Sequence, residues 1–167
     1  ANSPVSFTVI LIIHAPCASL LIFSGAEFRS SLTAVTVPLT GAVVVSTPSD
    51  VALQDARKAI EMFRQMKVDL VGVVENMSYF VCPHCQHEVD IFSRGGAEKT
   101  AYEFSLPFLG NSARDPEVRR AGDGGRPVVL EGEDSPHAKS IFDFARKVVD
   151  RVAEIKASAP AGVIQIQ

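Results

Sequence analysis

Cys82 and Cys85 stand three positions apart in the run Val81-Cys82-Pro83-His84-Cys85-Gln86-His87. Thiolates at that spacing can point at one soft metal from a single turn. Two thiolates are half of what a tetrahedral zinc ion or an iron–sulfur cluster takes. The chain's remaining cysteine is Cys17, so it cannot supply four cysteine ligands alone. His84 and His87 allow a mixed zinc site, but four ligands between positions 82 and 87 would force one turn to surround the metal. Zinc sites of this kind normally close with a distant second pair. A thioredoxin-type redox pair wants its first cysteine at a helix N-terminus, whereas here a proline-containing loop follows a strand. A second molecule completing the set, or two free thiols, remain as the other readings.

Other chemistry leaves fainter traces. No G-x-x-x-x-G-K-[ST], G-x-G-x-x-G or G-x-S-x-G occurs in the 167 residues. Gly95-Gly96-Ala97-Glu98-Lys99-Thr100 resembles a phosphate loop only superficially, because Glu98 stands where glycine must precede the lysine; it reads as a helix start. Asn76 carries an amide that offers a donor and an acceptor to a base edge, or that simply forms a turn. Net charge is −3 with the signs interspersed, which argues against nucleic acid as a partner. An odd, sparse cysteine set is no secreted disulfide framework, so a reducing, cytoplasmic location is expected.

The elements that must position these residues alternate in type. Residues 41–47 and 70–75 are short apolar runs of the kind buried on both faces of a sheet. Between them Leu53, Ala56, Ile60 and Phe63 recur at helical spacing, and Thr47-Pro48 reads as cap and first residue of that helix. A short helix from Gly95-Gly96, a strand at 106–110 and a helix opened by Asp115-Pro116 follow. A last helix from Ser135-Pro136 carries the stripe Ile141, Phe144, Val148, Val152 and Ile155. This order predicts a three-layer, mostly parallel α/β sheet, with ligands at the carboxyl ends of the strands. Residues 1–31 form a divergent apolar segment with one expected strand at 7–13. His14, Pro16 and the lack of a preceding Lys or Arg argue against a membrane span there. Residues 158–167 read as a flexible tail.

The residues also resemble a family. The run VPLTGAVVVSTPSDVALQDARK at 37–58, Val-Glu-Asn-Met-Ser at 74–78, Cys-Pro-His-Cys at 82–85, Ile91-Phe92, Gly-Gly-Ala-Glu-Lys at 95–99 and Asp-Pro-Glu-Val-Arg at 115–119 are similar to the Mrp/ApbC class. Its members are MinD/ParA-like P-loop ATPases that carry iron–sulfur clusters, and the likeness covers residues 32–157. The resemblance implies a [4Fe–4S] cluster held between two subunits of a homodimer, each contributing Cys82 and Cys85, with apo iron–sulfur proteins as recipients. It also implies ATP and magnesium, with Asn76 against the adenine. A zinc-binding or interaction module derived from the family is the alternative. The family's phosphate-binding loop lies upstream of the region covered. His14 stands where its metal-linked aspartate would be, residues 18–31 have no counterpart, and Ser112-Ala113 replaces a usual Ile-Pro. Unaided ATP hydrolysis is therefore not expected of this chain.

Overall fold

The strands form where β-branched residues run together, and the connections between them decide their direction. The computed structural model describes residues 9–14, 20–24, 39–82, 84–85, 87–91 and 93–158. Strands β1 (Val9–His14), β2 (Leu20–Ser24), β3 (Leu39–Ser46), β4 (Leu70–Glu75) and β7 (Phe108–Asn111) make one sheet in the order β2-β1-β3-β4-β7. Strands β5 (Phe80–Val81) and β6 (Glu88–Val89) form a separate two-stranded ribbon. Within the large sheet β3, β4 and β7 are parallel, as expected. The N-terminal segment departs from expectation: it supplies two strands rather than one, and both neighbours of β1 run antiparallel to it. For β1 and β2 the reason is connection length. The link 15–19 is too short for a crossover, which parallel neighbours require, so β1 and β2 can pair only antiparallel.

Helices cover both faces. On one, Leu53, Ala56 and Ile60 of α1 (Asp50–Gln65) and Ala97 and Ala101 of α2 (Gly96–Glu103) pack against Val44 and Val73. On the other, beyond α3 (Pro116–Asp123), helix α4 (Lys139–Ser158) lays Phe144, Val148, Val152 and Ile155 against Val43, Val71, Val74 and Leu109. Val71 and Val73 fall on opposite faces because the β3–β4 register slips between Ala42 and Val43, and a bulge reverses the period-2 alternation.

Two helix starts differ from the sequence reading. The first helix opens at Asp50 with Ser49 as N-cap, not at Pro48 behind Thr47. Proline holds its predecessor in extended backbone, and the Thr47 hydroxyl shares a hydrogen bond with the Ser49 hydroxyl at 3.1 Å. The last helix opens at Lys139; residues 135–138 form a turn in which the Ser135 carbonyl accepts from the amides of Ala138 and Lys139, both at 3.0 Å. Ser158 closes α4, and the rest of the expected tail lies outside the described residues. Among the described residues no helix is long and apolar enough to cross a membrane.

Candidate functional site

The chain leaves the carboxyl end of β4 through Asn76 and Met77, the latter in left-handed backbone at φ 58°. It runs out along β5 and returns along β6, with Phe80 opposite Val89 and Val81 opposite Glu88. The Cys82 amide donates to the His87 carbonyl at 3.0 Å, extending the ladder by one step. Cys82 and Cys85 therefore sit at the tip of a ribbon, where a loop had been expected. Both thiols are free, Cys85 exposed and Cys82 partly so. The backbone N–H groups of Cys85 and His84 point at the Cys82 sulfur, and the Cys85 thiol adds a side-chain hydrogen bond. Together they hold the Cys82 thiol below its usual range, against a smaller opposing effect of burial. Such N–H groups stabilise a thiolate, the form that binds metal. Arg94 straps the ribbon from the side, 3.1 Å from the Glu88 carboxylate and 4.5 Å over the Tyr79 ring. Among the described residues no group of three or more His, Cys, Asp or Glu converges on a metal position.

Beneath the ribbon lies Glu75, fully buried. One carboxylate oxygen accepts from the Ser78 hydroxyl and from the Gly95 amide at 3.0 Å; the other accepts from the Ala97 amide at 2.8 Å. Gly95 is the N-cap of α2 in left-handed backbone at φ 93°, so the carboxylate of Glu75 supplies the cap that a glycine cannot. The sequence reading treated Glu75 only as the end of a strand. The available signal was its charge: a carboxylate closing a wholly apolar run has to meet donors.

Asn76 opens onto a cavity of about 460 Å³ at the carboxyl edge of the parallel strands, with Tyr79, Ser112, Asp115, His137 and Phe144 among its walls. The Ser112 hydroxyl donates to the Asn76 side-chain oxygen at 2.7 Å, which leaves the amide –NH2 for a ligand. The cavity wall and the ribbon stem are zipped together. Ser112 N donates to Glu75 O and Ser78 N to Ser112 O, both at 2.9 Å, and Arg114 N donates to Tyr79 O at 2.6 Å. On the far side Asp115 caps α3 through the Glu117 amide at 2.7 Å and hydrogen-bonds the His137 ring. The hydrogen bond to Asp115 raises His137 above its ordinary 6.5, against burial. For Asp115 burial pushes upward, but the bonds from His137 and the Glu117 amide reverse it, leaving the carboxyl below 3.8. The sequence reading assigned His137 no role, and its partner stands 22 positions away.

A mixed sheet layered between helices, whose parallel strands β3, β4 and β7 carry a thiol-bearing ribbon and a cavity at their carboxyl ends, defines an α/β protein of the three-layer class. A family model described as ParA: NUBPL iron-transfer P-loop NTPase matches residues 30–149, and the chain belongs to that family. It is 47% identical over 120 residues to an iron-sulfur cluster carrier protein of Pyrococcus horikoshii, covering 72% of this chain and 40% of that one. It is 43% identical over 116 residues to the iron-sulfur cluster transfer protein NUBPL of Dictyostelium discoideum, covering 70% of this chain and 36% of that one. A nucleotide-binding protein of Archaeoglobus fulgidus in complex with ADP superposes with a TM-score of 0.50 at 34% identity, over 62% of this chain and 41% of that one. The chain thus spans about two fifths of the length of the curated relatives it matches.

Proposed function

We propose that this chain carries an iron–sulfur cluster as cargo, held on Cys82 and Cys85 and completed by the same pair from a second copy. The observation that carries the proposal is the ribbon tip. It presents two accessible thiols, turns backbone N–H groups onto one of them, and has no third ligand beside it among the described residues. A twofold axis doubles two thiolates into the four that a [4Fe–4S] cluster takes. Exposure at the tip suits transfer, because an apo iron–sulfur protein can bring its own thiolates to the cluster from the open side. That two relatives bear the names carrier and transfer protein supports the same reading.

Anaerobic reconstitution with iron and sulfide tests it. Thiolate-to-iron absorbance and a doubled solution mass are expected together, and both should vanish in Cys82→Ser and Cys85→Ser. Equal cluster content in those variants would sink the proposal.

The cavity beside the ribbon supports an adenine nucleotide as a further ligand. Its volume falls within the range of about 300–1,000 Å³ usual for small-molecule pockets, and the Asn76 –NH2 that the Ser112 bond leaves over supports its reading a base edge. The 167 residues contain no phosphate loop of the P-loop type, so the chain's own residues bind and orient the base here and no hydrolytic step is assigned to them. Calorimetric titration with ADP should show binding that Asn76→Ala weakens by about tenfold, the equivalent of one or two hydrogen bonds. Equal affinity in the variant would remove Asn76 from the site.

A further inference from the structure

The geometry points to Glu75 as the positioning residue of the cysteine ribbon, a buried clasp on which both ends of the excursion 76–95 close. This rests on the carrier reading of Cys82 and Cys85. Ser78 belongs to the outgoing arm of the excursion and Gly95 ends the returning arm, yet both donate to the same Glu75 oxygen. Ala97, in the first turn of α2, donates to the other. The carboxyl group has no exposure, so its three donors are what make so polar a group tolerable there.

A plain helix cap would account for less. Capping side chains ordinarily come from the residue at the helix start itself, which here is Gly95. The cap comes instead from a strand end 20 positions earlier, and one of its donors lies outside the helix altogether. The ribbon also needs an anchor at its base. β5 and β6 are two residues each, and a pair that short has little stability of its own. Hydrogen bonds from Ser78 to Ser112 and from Arg114 to Tyr79 fix the outgoing arm to β7 and its extension. The returning arm runs into α2, which packs on the sheet through Ala97 and Ala101, and its own end at Gly95 is tied to the sheet by Glu75. Without that tie the Cys85 side of the tip can swing relative to the Cys82 side. A four-thiolate site shared between copies tolerates little misplacement.

Glu75→Gln keeps the volume but turns an –NH2 toward backbone N–H donors, so Gly95 or Ala97 loses its acceptor. Ile60→Val, a mild change in the α1 core away from the ribbon, controls for general loss of stability. In cluster-free protein, well below the melting temperature, amide hydrogen exchange across 79–90 should quicken by about tenfold in Glu75→Gln and stay unchanged in Ile60→Val. After reconstitution, chelator-driven loss of cluster absorbance should quicken several-fold in Glu75→Gln alone. Ribbon exchange and cluster loss that match the control would overturn the clasp and leave Glu75 a cap for α2. Faster exchange in a chain whose parent binds no cluster would support the clasp and overturn only the cargo it serves. Should Glu75→Gln fail to fold, Glu75→Asp shortens the side chain by one methylene and draws it back from the Gly95 and Ala97 amides, and unchanged exchange in that variant overturns the proposal equally.

Discussion

At the scale of single residues, the site depends on groups whose partners lie far off in sequence. Asp115 and His137 show what such a pairing does to titration. His137 holds its proton above the ordinary 6.5 because Asp115 accepts from it, with Glu131 and Glu117 adding to the negative field. A raised folded pKa contributes stability below the unfolded value, and that contribution disappears as pH rises through the folded one. Asp115, lowered from 3.8, contributes in the opposite sense: its share is present above the unfolded value and disappears as pH falls through the folded one. The pair is therefore at full strength between roughly pH 4 and 6.5. Thermal denaturation of His137→Gln should show its largest deficit against the parent near pH 5 and a much smaller one near pH 9. A deficit that does not change with pH would mean the ring acts by packing. Because both side chains line the cavity, the same titration alters the charge a bound ligand meets.

At the scale of elements, what could be read from the chain follows from where each signal is stored. Val43, Val44 and Val45 announce a strand buried on both faces because neither face alternates to polar. Leu53, Ala56, Ile60 and Phe63 announce a helix because burial recurs every three or four residues, and all four are buried. These signals are local. Strand direction is not, so β1 could be expected as a strand while its antiparallel pairing could not. The second strand, Leu20–Ser24, follows the break at His14 and Pro16, but its short apolar run shows no alternation that would mark it as a strand. β5 and β6 escaped notice because two residues cannot display a period. Cys82 and Cys85 were legible by type and spacing, but the ribbon that presents them depends on Glu75 meeting Gly95 and Ala97 across the fold. Packing at Gly72 has the same character. A methyl group there would lie 2.6 Å from the Pro107 carbonyl oxygen and 2.7 Å from the Leu109 side chain, a contact that only the β4–β7 pairing creates.

At the scale of the whole molecule, the divergent N-terminal segment does structural work for the remainder that the family model matches. β1 lies between β2 and β3, paired to β3 along positions 9–14. Without it β3 would be an edge strand, offering unpaired backbone groups beside the apolar run at 42–45, and an edge of that kind invites association. Each backbone hydrogen bond contributes about 0.5–1.5 kcal/mol net, so the β1–β3 ladder contributes several kcal/mol. That is a large part of the roughly 5–15 kcal/mol that separates folded from unfolded domains. Deleting residues 1–31 should accordingly lower the melting temperature by about 10 °C or more, and light scattering should show concentration-dependent association. Deleting residues 1–8, which leaves β1 in place, should change neither property. An unaltered melt after the longer deletion would show that β3 needs no neighbour on that side, and that the hairpin rests on the sheet without supporting it.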